Sequence, residues 1–179
     1  MVGNTVSRSL HDVGLAAWFG GTLANAVALN PAAKEAGSDS STGAVVNAGW
    51  DRWTPVNAAA IGAHLAGSVG QLLGNQERIG RQKGVGAMSA VKTGLTAVAL
   101  GATAYARVEG RRVSKYSDVP VEDATTPNWR TPSSVAQAQQ RLTALQWVIP
   151  AVTGVLVVIS SFAGEQQRAA TRREDPQAA

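Results

Sequence analysis

Residues 142–164 read LTALQWVIPAVTGVLVVISSFAG, a run of 23 residues that contains no charged side chain. A helix needs about 20 mainly apolar residues to cross the hydrocarbon core of a bilayer, so this run is long enough. Arg141 precedes the run and Glu165 follows it, which places a charge at each end. The segment therefore predicts a membrane-spanning helix, and the rest of the chain has to be compatible with a bilayer.

Three further segments have spanning length and almost no charge. Residues 13–33 and 53–76 are uncharged, and residues 84–106 contain one charged side chain, Lys92. Four spans with their connections account for all 179 residues, which predicts a single membrane domain. We therefore expect an all-α polytopic membrane protein in which four transmembrane helices form an antiparallel bundle.

Charged residues concentrate in the predicted connections, which are a basic turn at 77–83, a polar loop at 107–141 and a charged tail at 165–179. The net charge of +4 is too small and too dispersed to predict nucleic-acid binding. Because short arginine-rich segments favour the cytoplasmic side, we expect a multi-pass protein of the bacterial inner (plasma) membrane with both termini in the cytoplasm. The basic cluster at 107–115 argues for the opposite orientation.

The first apolar segment is also compatible with a secretory signal peptide, since residues 26–28 (AVA) resemble a small-residue cleavage site. Arg8 is the single basic residue before that segment, whereas signal peptides begin with a positively charged region. Trp18 and the pair Gly20-Gly21 are also unusual for the apolar part of such a peptide. We expect a retained helix, with cleavage as the alternative.

Polar side chains recur at helical spacing within each predicted span. In the second span they are Asn57, His64, Ser68, Gln71 and Asn75, and in the third Ser89, Lys92, Thr93, Thr96 and Thr103. The first span has His11, Trp18, Thr22 and Asn25, and the fourth Thr143, Gln146, Thr153 and Ser160. Intervals of three, four and seven place each set on one stripe of a helix. A soluble helix has a narrow apolar stripe and a broad polar face, so this inverse pattern predicts a bundle with a polar interior stripe.

The ionisable members of these stripes are the strongest functional candidates. His64 and Lys92 lie near mid-span, where an ionisable side chain is costly. No Asp or Glu lies within the predicted spans to pair with Lys92, which then either extends toward the turn or binds an anion. With Asn57, Gln71 and Asn25 they form the predicted ligand or pathway set. The alternative is interhelical hydrogen bonding, with a neutral His64, worth about 0.6 kcal/mol per bond.

Small residues form a second row in the second span, opposite the polar stripe: Ala58, Gly62, Ala66, Gly70 and Gly74. Such small-xxx-small rows let helix backbones approach closely in lipid. Because this row points away from the polar stripe, it predicts contact with another membrane subunit or with a second copy of the chain.

Cofactor and enzyme chemistry have little support in the sequence. The chain has no cysteine and two histidines, and no buried carboxylate is expected beside them. That set is poor for a metal site, and no nucleotide-binding or hydrolase motif occurs. We therefore expect no cofactor, no metal and no catalytic residue, and a protein that is more typical of a non-enzyme.

One resemblance begins at His11, which is followed by Trp18-Phe19-Gly20-Gly21. This pattern resembles the opening helix of small bacterial four-helix membrane families, including the copper-resistance D-type proteins. The chain as a whole resembles uncharacterised actinobacterial integral membrane proteins. The resemblance implies the four-helix architecture. It does not carry copper handling over, because the only methionines are Met1 and Met88.

Three functions follow from these observations. The first is an accessory or structural subunit that packs against itself or a larger membrane complex. The alternative is a small transporter or ligand-binding bundle that uses the polar interior, and the third is a membrane subunit of a redox enzyme. In each case the expected partners are the lipid bilayer and other membrane proteins, not nucleic acid.

Overall fold

The computed structural model describes residues 2–74, 76, 84–115 and 121–174, with side chains described from residue 5 and up to residue 164. These residues form four long helices: α1 (Val2–Ala24), α2 (Asp39–Gly74), α3 (Val85–Ser114) and α4 (Ser133–Glu174). The described ranges contain no strand, only an isolated bridge between Val121 and Pro127. The all-α prediction is therefore confirmed. The predicted turn at 77–83 and the end of the tail, 175–179, lie outside the described residues.

Helix α1 continues past Ala24 in three short turns of changing width. A π-helical turn (Asn25–Leu29) is followed by one α-helical turn (Asn30–Ala32) and a 3₁₀ turn (Ala33–Ala36). The wide turn directly precedes Pro31, whose ring would crowd the carbonyl four residues back in a regular α-helix. Gly37 then takes a positive φ of 85°, which ends the helix and turns the chain toward α2.

The helices extend beyond the uncharged runs that predicted them. Helix α1 begins at residue 2 instead of 13 and α2 at 39 instead of 53, while α3 ends at 114 instead of 106 and α4 begins at 133 instead of 142. An apolar run marks where hydrocarbon contact is favourable, whereas helical hydrogen bonding continues through polar residues that water can solvate. As a result Asp12 lies on α1 and Glu109 on α3. The expectation that no carboxylate lies within the helices is therefore wrong.

The four helices pack in the order α2, α1, α4, α3. Helix α1 packs extensively against α2 and more lightly against α4, which in turn packs against α3. Helices α2 and α3 follow each other in the sequence but scarcely contact each other. A gap therefore separates α2 from α3 on one side of the bundle.

The α1–α2 contact depends on two glycines that let the backbones touch. A β-carbon at Gly14 would collide with backbone atoms of Ala60 and His64, and one at Gly67 would collide with backbone atoms of Ser7 and His11. Since neither position has room for a side chain, a larger residue at either one would force the two helices apart.

The predicted small-residue row of α2 divides between two surroundings. A β-carbon at Gly62 would meet no atom within 4 Å, so this position faces away from the bundle. Gly70 instead lies against the side chain of Ser7 on α1. The row is therefore not one continuous outer surface, because Gly70 belongs to the α1–α2 contact.

The central apolar core lies where α1, α3 and α4 meet. It consists of Leu15, Trp18, Ala99 and Leu156, all nearly inaccessible to solvent. Around this core the distribution of polar and apolar side chains is the reverse of that in a soluble protein. Polar side chains such as Asn57 and Thr153 are buried, and many large apolar side chains face outward. Three helical segments are long and apolar enough to cross a membrane: Thr5–Ala36, Val85–Ser114 and Ser133–Gly164. Helix α2, which is rich in alanine, glycine and polar residues, is not among them.

Polar contacts join the helices at the end of the bundle that carries residues 37–38 and 121–132, here named the loop end. Its cross-links are Lys34–Asp123 at 3.2 Å, Arg107–Asp51 at 3.2 Å, Asn128–Asp39 at 2.7 Å and Ser114–Asn47 at 3.2 Å. The fully buried carboxylate of Glu109 accepts hydrogen bonds from Arg112 at 2.9 Å and Arg141 at 3.1 Å, which ties α3 to α4. Both ends of the predicted polar loop 107–141 are thus helical, at 107–114 and 133–141, and some of its described residues are buried.

Candidate functional site

At the opposite end of the bundle, named the cavity end, all four helices line a cavity of about 440 Å³. Cavities of roughly 300–1,000 Å³ are typical of small-molecule sites. Helix α1 contributes Arg8, His11 and Asp12, and α3 contributes Lys92. The remaining polar lining consists of Ser68 and Gln71 on α2, Ser89, Thr93 and Thr96 on α3, and Ser160 on α4.

The charged lining of this cavity is unbalanced in favour of cations. Arg8 and Asp12 approach to 3.8 Å, a long ion pair between half-exposed side chains on adjacent turns of α1. Lys92 is half-buried and interacts electrostatically with both Asp12 and Arg8. Among the residues whose side chains are described, however, none forms an ion pair with Lys92. Within the described lining, one carboxylate thus faces two cations, which leaves a surplus of positive charge there.

Two histidines with their rings in contact lie at the wall of the cavity. The ring centroids of His11 and His64 lie 4.5 Å apart with an interplanar angle of 46°, and the Trp18 ring meets His64 edge-on at 6.1 Å. Both imidazoles are almost completely buried. His11 lines the cavity, whereas His64 lies directly behind it.

Hydrogen bonds orient both imidazoles. The Nδ1–H of His11 donates to Oδ1 of Asp12 at 2.7 Å. The Nδ1 of His64 lies 3.3 Å from the carbonyl oxygen of His11, which can only accept, so the hydrogen of His64 is on Nδ1. The Nε2 of His64 is then a buried acceptor, and it has no partner within the described part of the chain.

The local sequence explains how this pair forms. His11 and Gly14 make a His-x-x-Gly segment on α1, and His64 and Gly67 make the same segment on α2. In the antiparallel pair, Gly14 lies against the backbone of His64 and Gly67 against the backbone of His11. Each glycine therefore makes room for the other helix's histidine, and the close approach brings the two rings into contact.

The predicted site residues separate into three groups. Lys92 and Gln71 line the cavity, and His64 supports its wall through His11. Asn57 is buried in the bundle without lining the cavity, and its Oδ1 has no partner in the described ranges. Asn25 donates to the carbonyl of Gly21 at 2.9 Å, on its own helix, and does not reach the cavity. Asn57 and Asn25 therefore lie apart from the cavity that Lys92 and Gln71 line.

Sequence reasoning missed Arg8 and Asp12 as site residues, because the uncharged run begins only at residue 13. It placed His11 on the polar stripe of the first span without giving it a site role. Two signals pointed to them. The spacing of Arg8 and Asp12 is the i, i+4 interval that places two side chains on one helix face, and the His-x-x-Gly segment occurs twice.

The chemistry of this arrangement is that of a binding site. No group of three His, Asp or Glu side chains suited to a metal ion occurs in the described residues. The cavity instead offers a lysine ammonium, a guanidinium and several hydroxyls, which are hydrogen-bond donors for an oxyanion. The hydroxyl of Ser160 is such a donor, buried at the wall and without a hydrogen-bond partner among the residues described.

No protein-family model, curated protein or solved structure matches this chain. The functional argument therefore rests on the cavity and on the side chains that line it.

Proposed function

We propose that this chain is a four-span membrane bundle that binds an anionic ligand in the cavity, as a ligand-binding protein or small transporter. The observation that carries the proposal is Lys92, a cation in a span-length apolar helix, which faces a 440 Å³ cavity without an ion pair among the described residues. A charge at such a depth is costly, and ionisable residues there face cavities, pathways or ligands. A bound anion would provide the missing partner.

The four-span topology is part of the proposal. Helix α2 has 36 residues and is about 54 Å long, which is more than a bilayer requires. Its polar and small residues pack against α1, and contacts between Asn47 and Ser114 and between Asp51 and Arg107 join its first half to the end of α3. These contacts support an antiparallel arrangement in which residues 34–52 and 107–141 lie on the same side of the membrane.

For the orientation we propose cytoplasmic termini in a bacterial inner membrane. Single cysteines at Ser40 and Gln82 test this orientation in intact cells with a membrane-impermeant maleimide. We expect Ser40→Cys to be labelled from outside and Gln82→Cys to be protected. Labelling of Gln82→Cys with protection of Ser40→Cys would reverse the orientation, and labelling of both would contradict four spans.

Anion binding is tested with purified protein in phosphatidylcholine nanodiscs and a series of radiolabelled carboxylates from acetate to dodecanoate. We expect saturable binding of at least one carboxylate, with a loss of affinity of about tenfold or more in Lys92→Met. The matched control is Arg107→Met, which removes a cation from the same helix but at the loop end, where it pairs with Asp51. Absence of binding, or binding that Lys92→Met leaves unchanged, would overturn the proposal.

A second candidate function, an accessory subunit of a membrane complex, is favoured by the outer surface of the bundle. Glycines at 62, 94 and 101 would each accommodate a β-carbon with no atom within 4 Å, so small residues face outward on both α2 and α3. Close helix packing between subunits in lipid uses such surfaces. Gly62→Ile should then dissociate a native complex without lowering the stability of the isolated chain. Gly70→Ile, which is directed at Ser7, should do the reverse, and an intact complex in Gly62→Ile would remove this candidate.

A further inference from the structure

The gap between α2 and α3 gives the cavity an apolar side. Val69 and Leu72 line the cavity from α2, and Val85 and Met88 line it from α3. Val69 and Leu72 are also more than half exposed at the surface. In a bilayer these exposed side chains face acyl chains, and the gap connects the cavity with the hydrocarbon.

The shape of the cavity suits an elongated molecule. Along α3 its lining runs from Val85 to Leu100, which is about 22 Å at the rise of an α-helix. Lys92 lies near the middle of this length, and Leu65 and Leu100 line its inner end, where Leu100 packs against the central core. Charge is therefore concentrated near the level of Lys92, with Val85 and Met88 on one side of it and Leu65 and Leu100 on the other.

The volume and the charge of the cavity together decide what can occupy it. A volume of 440 Å³ lies at the lower end of the range for drug-sized ligands, so it favours one chain over two. A partner helix would have to offer a carboxylate to Lys92, whereas a single-chain acid carries one.

We propose that the cavity binds a single-chain amphiphilic acid, such as a long-chain carboxylate, which enters from the bilayer between α2 and α3. Its anionic head pairs with Lys92 and Arg8, and its alkyl chain lies against Val69, Leu72 and Met88. The hydroxyl of Ser160, which has no partner among the described residues, donates to the second head-group oxygen. This inference rests on the proposed anion site and adds the chemical class of the ligand and its route.

The route is tested by a matched pair of tryptophan substitutions. Val69 and Val98 are each 55% exposed, but only Val69 lines the cavity. In phosphatidylcholine nanodiscs, we expect Val69→Trp to lower the affinity for radiolabelled dodecanoate about tenfold, while Val98→Trp leaves it unchanged. A thermal melt without ligand confirms that both variants are folded. Equal affinities in the two folded variants would overturn access through the gap.

Three probes test the ligand class. Dodecanoate should bind at least tenfold more tightly than dodecanol, which has the same chain without the charge, and more tightly than butyrate, which has the charge without the chain. Butyrate and dodecanoate binding equally, both in a Lys92-dependent manner, would overturn the amphiphile and leave the anion site standing. Failure of both carboxylates would overturn the two proposals together. Displacement of dodecanoate by phosphatidylglycerol would overturn the single-chain assignment in favour of a phospholipid head group.

Discussion

The two ends of the bundle use charged side chains in opposite ways. At the loop end, cations and carboxylates are matched across helices, as in the contacts of Glu109 with Arg141 and of Asp123 with Lys34. At the cavity end, Arg8 and Lys92 line an open volume together with Asp12, which supplies the one carboxylate among the described lining residues. Matched charges hold four helices at fixed distances, whereas unmatched ones around a cavity leave binding capacity. This difference is the basis of our proposal that one end stabilises the bundle and the other binds a ligand.

The helix contacts follow the same division. Near the loop end a small apolar cluster of Ala33, Val46 and Ala124 fills the space between the polar cross-links. Near the cavity end α2 and α3 separate, and both hydroxyl groups and aliphatic side chains line an open volume. Elements that bind ligands are drawn from the less stable parts of a fold. Four substitutions test this division, and they follow in order of decreasing expected effect on stability.

The largest effect is expected for Glu109→Gln at the loop end. The change keeps the shape but removes the charge that Arg112 and Arg141 surround, so two charge-assisted hydrogen bonds weaken. We expect a loss of about 2–3 kcal/mol, or about 5–10 °C in Tm, in a thermal melt in mild detergent. Glu122→Gln is the control, because it makes the same change at an exposed position of this end. Equal Tm values for both variants would contradict a stabilising role for the Glu109 cluster.

A smaller, pH-dependent effect is expected for Asp123→Asn. Burial of Asp123 acts to raise the pKa of its carboxyl group, but donors from Thr125 and Thr126 and the Lys34 ammonium outweigh it and hold that pKa below its usual value. A carboxyl group with a lowered folded pKa stabilises the protein fully above its unfolded pKa, about 3.9. That stabilisation is lost as the pH falls through the folded pKa.

The expected result is that Asp123→Asn lowers stability by about 1 kcal/mol at pH 7 and that the difference from wild type shrinks in strongly acidic buffer. Thermal melts of both proteins at pH 7 and at pH values below 4 measure it. Because other carboxyl groups titrate equally in both proteins, the difference between them isolates Asp123. A difference that is constant with pH would show that the charge of Asp123 does not stabilise this end.

Much of the cavity end was predictable from periodicity. The intervals that place Ser68 and Gln71 on one face of α2, and Lys92 and Thr96 on one face of α3, depend only on helix geometry. All four residues line the cavity. The α-helical fold was predictable for the same reason, since uncharged runs of spanning length are incompatible with other folds in a bilayer.

The rest was not predictable because it depends on contacts between distant segments. Asn25 has the right spacing, yet its amide bonds to the carbonyl of Gly21 on its own helix, an option that the spacing does not reveal. Glu109 lies where the uncharged run had already ended, so it was assigned to a loop although it is buried between two arginines. The pairing of Gly14 with His64 requires knowing which helices are neighbours.

His64 lies at the boundary between the two ends, and His64→Leu tests which of them it serves. If His64 serves only interhelical hydrogen bonding, its replacement by leucine should lower stability, because the partners of the imidazole would be left unpaired. In the structure its Nδ1 makes a long hydrogen bond to the backbone carbonyl of His11, and its Nε2 has no partner among the described residues. We therefore expect His64→Leu to change stability by less than about 1 kcal/mol and His64→Gln to be similar. A much larger loss in His64→Leu alone would make the histidine a structural element.

The smallest effect on stability is expected for Lys92→Met, and its sign is informative. Methionine approximates the length of the lysine side chain without its charge, so packing along α3 is preserved while the desolvation of an ammonium group is removed. If Lys92 stabilised the bundle, as Glu109 does, its loss would lower Tm. Because Lys92 has no ion pair within the described residues, we expect Tm in ligand-free detergent to stay unchanged or to rise by a few degrees. Lys92→Arg separates charge from shape, since it keeps the cation and should keep both Tm and carboxylate binding.

A Tm that falls in Lys92→Met as far as it does in Glu109→Gln would mean that the two ends differ in geometry alone, and that Lys92 stabilises the bundle. An unchanged Tm together with lost binding would instead show a cation that contributes to the ligand site and not to the fold.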